Sequence, residues 1–313
     1  MFLYGKKVTV KRVVKFIWRK IINFIFKHFF NFFQHIGIHI TKNHFYTPIP
    51  DTRKLSSATW NNFSEMVGVN MNENKQLELL SSFKNKFKKE FDLIPLNIKN
   101  ENEYYVRNDT FSAVDGEVLY CMIRAYKPKR IYEIGSGSST ILIIQATNKN
   151  REENGVDCQI TSIDPYHDIK VKNIKMSNLR LLTKKVEEVS PTYFQELEEN
   201  DILFIDSSHV LKVGSDVKYE YLDILPSLNR GVLVHIHDIF LPAEYPQDWI
   251  LKEHRFWNEQ YLLQAFLSFN DSFEVLMANN FLHLKHSKAL EDTFNSYADK
   301  KSWVGSFWIR KII

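Results

Sequence analysis

From residue 130 onward the chain alternates between short apolar runs and amphipathic stretches, which limits its fold more than any other feature. Arg130 to Ile134, Gln159 to Ile163, Leu179 to Val186, Ile202 to Ile205 and Val232 to Ile236 each read as a strand. Between them Ser138 to Thr147, a stretch around Tyr193 to Glu199, and Val213 to Leu228 have helical spacing, and Trp257 to Phe269 is a helix after the fifth strand. The runs at 202–205 and 232–236 are almost wholly apolar, as strands covered on both faces are. Such alternation places strands side by side in parallel, with helices across both faces of the sheet. Phe273 to Ala278 and Ser306 to Ile312 read as two last strands separated by a helical stretch, which suits an antiparallel pair closing the sheet.

Upstream the chain has a different character. Of its 41 Lys and Arg, nine precede residue 51, where there is no acidic residue, leaving 32 basic against 37 acidic residues and a charge of −5 for the remainder. Basicity therefore belongs to the N-terminal segment, and nucleic-acid binding by the rest is not expected. Val13 to His35 reads as a helix, with Val14, Trp18, Ile21, Ile22, Ile25, Phe26, Phe29, Phe32 and Phe33 on one broad face and Lys15, Arg19, Lys20 and Lys27 on much of the other. No run of about 18 residues there is free of charge, so a transmembrane span is not expected. A cleaved secretory leader is not expected either, because charges interrupt the apolar stretch and no small-residue site follows. Two readings stand: a helix lying on an anionic membrane surface, or one packing on the remaining chain or on a second subunit. Thr47-Pro-Ile-Pro50 is extended or turning, while Asn74 to Phe91 and Ala113 to Tyr126 have helical spacing. Expected boundaries are a basic helical extension at 1–36, a connector and helical lead-in at 37–106, and the main domain at 107–313. The two cysteines, Cys121 and Cys158, have no metal-ligand spacing and imply no disulfide framework.

The chemistry-bearing residues cluster at the ends of the strands. The first strand runs into Glu133-Ile-Gly135-Ser136-Gly137-Ser138-Ser139-Thr140, where glycines permit a tight turn and the next helix presents its N-terminal amides. The second ends at Asp164, where a carboxylate can hold the ribose hydroxyls of a nicotinamide or an adenosyl cofactor. Two features speak against a dehydrogenase: Thr140 stands where a dinucleotide fingerprint has its third glycine, and the two late strands suit another topology. The fourth strand leads to Asp206-Ser-Ser-His209 and the fifth to His235-Ile-His237-Asp238. Ligands of an open parallel sheet sit outside its carboxyl ends, so Asp206, His209, His237 and Asp238 are expected around one crevice. They could deprotonate a hydroxyl, bind a divalent cation, or both. His235, inside its strand, is expected to be structural.

The segments Tyr132 to Thr140, Ile163-Asp-Pro165, Asp201 to His209 and Gly231 to Phe240 resemble the class I S-adenosylmethionine-dependent methyltransferases, and more narrowly the bacterial branch known as methyltransferase domain family 24. The likeness extends to Trp257 through Phe266, Ser306 through Arg310, and the lead-in Gly37 to Asp51. It implies an α/β fold: a Rossmann-like, mostly parallel seven-stranded sheet with helices on both faces and a late antiparallel hairpin, preceded here by the helical extension. It implies that Glu133, Gly135, Ser136, Gly137 and Ser138 contact the methionine part of S-adenosylmethionine, that Asp164 binds the ribose, that Glu187 lies near the adenine, and that Asp206 borders the cofactor. Sugar- and catechol-acting members hold a divalent cation on strand-end carboxylates. Asp206 and Asp238 match two such positions and imply Mg2+, although Ile239 stands where catechol-type enzymes place Asn.

The expected activity is O-methylation of a hydroxyl on a small molecule or glycan, with His209 or Asp206 as base. Leu241 to Arg255 and Tyr46 to Pro50 are candidate walls over the acceptor. N-methylation is the nearest alternative, and a non-catalytic membrane-associated scaffold keeping the fold is another. A nucleic-acid substrate is not expected, since the chain lacks an Asn/Asp-Pro-Pro-aromatic tetrapeptide. The expected location is cytoplasmic, at the inner face of the membrane if the N-terminal helix binds there; self-association is left open.

Overall fold

Six of the sheet's seven strands are buried for most of their length and need a layer on each face, while the edge strand at Leu179–Leu182 is only partly covered. A computed structural model describes residues 10–100, 103–299 and 303–313. Two compact units are separated between Leu55 and Ser56, so the lead-in after residue 55 belongs with the larger one.

The smaller unit is built on helix α1 (Val10–His35). The chain turns off it at Gly37, whose φ of +77° suits a residue without a side chain. The amide of Gly37 donates to the carbonyl of Gln34 (3.0 Å) and that of Ile38 to Phe33 (2.9 Å), satisfying two carbonyls of the last turn.

The larger unit contains β1 (Arg130–Ile134), β2 (Gln159–Ile163), β3 (Leu179–Leu182), β4 (Ile202–Ile205), β5 (Leu233–Ile236), β6 (Phe273–Ala278) and β7 (Phe307–Lys311), with the order β3-β2-β1-β4-β5-β7-β6. The pairings from β3 through β5 are parallel, while β7 is antiparallel to both β5 and β6. Every residue of β4 and β5 is buried, as their composition predicts. The order reverses between β1 and β4, so the chain leaves these neighbours in opposite directions and opens a crevice at their carboxyl ends.

The principal helices of this unit are α2 (Glu73–Phe91), α3 (Asp115–Tyr126), α4 (Ser138–Asn154) and α5 (Glu259–Leu267). α3 packs on both α2 and α4. Its first residue, Asp115, is buried and accepts from the amides of Gly305 (2.8 Å) and Ser306 (3.1 Å) and from Asn279 Nδ2 (2.7 Å), which ties the entry to β7 to the start of α3. Burial raises the Asp115 carboxyl above its ordinary range.

Three expected elements come out shorter or broken. β3 stops at Leu182, and Val186–Glu188 forms a 3-10 turn instead of continuing the strand. The helix expected around 193–199 is the single turn Pro191–Phe194. The helix expected at 213–228 becomes an α turn (Asp216–Tyr219), a π turn (Glu220–Ile224) and a 3-10 turn (Leu225–Ser227). Pro226 lacks an amide donor, and the widened turn carries Glu220 and Tyr221 into the interior, where they bond to Ser207 and Glu259.

Candidate functional site

The loop after β1 follows from one close approach. Gly135 has φ +97°, and a Cβ there would lie 2.4 Å from the carbonyl oxygen of Asp206 at the end of β4. Only glycine fits, and the two strand ends are drawn together. Beneath the loop, Ser139 Oγ and Thr140 Oγ1 each donate to a carboxylate oxygen of Glu133 at 2.7 Å, and the Gly137 amide donates to Thr140 Oγ1 at 3.0 Å. Thr140, at the position of a third glycine, thus closes the turn through its hydroxyl. Glu133 is completely buried, and that burial pushes its carboxyl up to about 8 against the opposing effect of the two hydroxyl donors.

Asp164 at the end of β2 accepts from the Tyr166 amide (2.7 Å) and from Ser136 Oγ (2.6 Å), so the loops after β1 and β2 are latched together. Around that latch lies a cleft of about 460 Å³, lined by Gly135, Ser136, Asp164, Tyr166, Val186, Glu187 and Asp206 among others. A second hollow of about 310 Å³ adjoins it, lined by Tyr104, Tyr105, Thr110, Phe111, Gly137, Ser138 and Asp168. Ser136 and Asp206 border both.

Behind Asp206 stands a charged cluster. His209 Nε2 is 3.3 Å from Asp206 Oδ1 and 3.7 Å from Asp238 Oδ2, and its Nδ1 is 2.8 Å from Glu259 Oε2. Glu259 is fully buried at the start of α5 and also accepts from the Tyr221 hydroxyl (3.1 Å). The backbone of the same helix start reaches His209, whose carbonyl accepts from the amides of Asn258 (3.1 Å) and Glu259 (3.3 Å), while Trp257 lies against its ring. Burial disfavours a charged imidazole, yet the bonds to Asp206 and Glu259 and the charges of Glu259 and Asp238 outweigh it, raising His209 well above its ordinary value. Both ring nitrogens are thus engaged by carboxylates, an arrangement that favours the protonated ring. Burial also opposes ionisation of Asp206, but His237 and His209 together hold it below its usual value. Burial raises Asp238 despite the same two rings. His209 and Asp238 have φ of +59° and +54°, a conformation that side-chain-bearing residues enter at a cost and that the surrounding contacts maintain.

The expected site residues therefore separate by position. Gly135, Ser136, Gly137, Ser138, Asp164, Glu187 and Asp206 line the two hollows. Glu133 lies under the loop with both oxygens engaged, outside both linings. His209 and Asp238 stand behind Asp206 and line neither. His237 is buried against Phe111, with Nε2 3.7 Å from Asp238 Oδ1. His235 stacks on Phe204 (4.1 Å between ring centres) inside the sheet, in keeping with a structural role. Among the described residues of 241–255 none lines either hollow; Tyr245, Trp249 and Trp257 pack edge to face, with the Arg255 guanidinium over two of the rings. Tyr46 to Pro50 belongs to the smaller unit. Glu259 was not anticipated, since an acidic residue in a first helical turn reads as an ordinary response to the helix dipole. Tyr104, Tyr105 and Thr110 lie before the alternating region and carried no motif.

The first cleft suits S-adenosylmethionine: a glycine at the close approach, a helix N-terminus beyond it, and Asp164 at the second strand end. The fit to Mg2+ is poor. His209 Nε2 stands within 3.7 Å of both Asp206 and Asp238, in the space a shared cation would need, and among the described residues no group of three or more His, Cys, Asp or Glu is placed to hold a metal ion.

Residues 132–239 match the model of a methyltransferase domain, Methyltransf_24. An uncharacterized protein of Archaeoglobus fulgidus is 28% identical over 180 residues, covering 54% of this chain and 78% of that one. Among solved structures, CmcI with SAH is 17% identical, covers 63% of this chain and 75% of its own, and gives a TM-score of 0.36. A SAM-dependent methyltransferase from Anabaena variabilis is 11% identical, covering 80% and 100%, with a TM-score of 0.34.

Proposed function

We propose that this chain, whose residues 132–239 match a methyltransferase domain, transfers the methyl group of S-adenosylmethionine to a hydroxyl oxygen on a small molecule or glycan. The observation that carries this reading is Asp206: it alone of the strand-end acid and imidazole groups borders both hollows, and the ring of His209 backs it. S-adenosylmethionine in the first cleft supplies an electrophilic methyl group on a sulfonium. Ser136, Gly137 and Ser138 would face its methionine part, Asp164 its ribose, and Glu187 its adenine end. Asp206 then accepts a hydrogen bond from the acceptor hydroxyl entering from the second hollow, aiming an oxygen lone pair toward the cleft. A hydroxyl becomes strongly acidic as it is alkylated, so a carboxylate of low basicity suffices to take its proton. His209 keeps Asp206 ionised and oriented, with Glu259 fixing the ring from behind.

The test is a panel of hydroxyl- and amine-bearing small molecules and glycans incubated with labelled S-adenosylmethionine. Labelled ethers support the proposal; label on amines with none on hydroxyls overturns it in favour of N-methylation. Asp206→Asn should lower turnover about 100-fold or more, the scale of general-base catalysis. Cofactor affinity should stay within a few-fold. Exhaustive chelation should leave turnover unchanged.

A further inference from the structure

No described residue of α1 lines either hollow. On α1, Val14, Trp18, Ile21, Ile25, Phe29 and Phe32 are all exposed, Trp18 by 62%. Steps of four and three residues keep them on one line along the helix. The unit covers a neighbouring arc: Ile22, Phe26 and Phe33 are half-buried, and Lys42 Nζ lies 5.4 Å from the Phe26 ring. Lys15 lies along that arc and Arg19 beyond it; on the other side exposed Val13, Ile17 and Phe24 widen the apolar face, and Lys20 and Lys27 lie behind it. Among the described residues no helix is long and apolar enough to cross a membrane.

We propose that this stripe seats α1 in the plane of an anionic lipid bilayer, its apolar side chains at the acyl boundary and its basic side chains among the headgroups. Charge decides the occupant. A second copy laid on the stripe would bring one basic helix against another, with no acidic residue among the first 50 to pair with either. An anionic leaflet offers an apolar interior bounded by negative charge, which matches a broad exposed apolar face on a helix whose remaining charges are all basic.

The full chain is sedimented with vesicles of phosphatidylcholine alone and of phosphatidylcholine mixed with phosphatidylglycerol. Binding to the mixed vesicles should be at least about ten-fold stronger and should weaken as salt rises from 0.1 to 1 M, because the screening length falls from roughly 10 to 3 Å. Replacing Lys15, Arg19, Lys20 and Lys27 together by Gln should weaken it about 100-fold or more, since each basic residue near such a leaflet contributes severalfold. Trp18→Ser combined with Ile25→Ser should also release the protein, by about ten-fold or more, through lost apolar burial. Equal binding to both vesicles, or binding to neither, overturns the proposal. So does a lipid-free dimer in light scattering that the Trp18→Ser, Ile25→Ser variant converts to monomer.

Discussion

The ends of β1 and β2 and the ends of β4 and β5 border the same crevice, yet they are held by opposite means. At β1 the positive φ falls on glycine, and small hydroxyls and one half-buried carboxylate complete the loop. Past β4 and β5 the positive φ falls on His209 and Asp238, and a buried ionic cluster anchored by Glu259 holds them. The first arrangement relies on close backbone approach and a single hydroxyl latch, and leaves space. The second is assembled from three distant segments and fills it. One end of the crevice is thus shaped to admit a ligand, and the other to fix a charge against it.

The sharpest break at the glycine end is Gly135→Val. Its side chain would strike the Asp206 carbonyl in a backbone conformation that β-branched residues avoid, so calorimetry should detect no S-adenosylmethionine binding. Affinity within ten-fold of the parent would show that this loop does not cradle the cofactor. At the other end, Glu259→Ala leaves the buried His209 ring without its Nδ1 partner. It should cost about 3–5 kcal/mol in urea unfolding, the loss typical of a broken buried pair. A cost under about 1 kcal/mol, that of an exposed pair, would mean the cluster does not hold His209. Asp164→Ala should weaken S-adenosylmethionine binding by about 1.5–3 kcal/mol, the range for hydrogen bonds to a charged group, and unfolding data should show the fold intact. Unchanged affinity would remove Asp164 from the ribose site.

The smallest effect is a change of slope. Glu133 is raised to about 8 from an unfolded value of 4.5, so the folded chain holds a proton there that the unfolded chain has lost. Its contribution to stability is complete below pH 4.5, declines as pH rises from 4.5 to 8, and is absent above. Glu117, buried and raised to about 7, acts in the same direction. Glu133→Gln should therefore flatten the fall in unfolding free energy between pH 5 and 8, while differing little from the parent at pH 4. An unchanged slope would mean that Glu133 is ionised in the folded protein.

Much was settled by the sequence alone. Strands β1, β2, β4 and β6 occupy the expected residues, and β4 is the plainest, because a strand covered on both faces needs apolar side chains at successive positions. Gly135, Gly137 and Asp164 were legible because close approach and strand-end carboxylates depend on residue type at fixed local spacing. The helical face of α1 was legible for the same reason, since its periodicity lies within one segment. Only the tertiary structure decided which of Asp206, His209, His237 and Asp238 meets the crevice, that Glu133 turns beneath its loop, and that Glu259 grips His209 from 50 residues away. Those are questions of which side chain desolvates which charge. The answer depends on segments far apart in the chain, as does the widened turn at 220–224 that brings Tyr221 to Glu259. Local pattern records what a residue can adopt beside its neighbours; burial among distant partners decides its charge and its orientation.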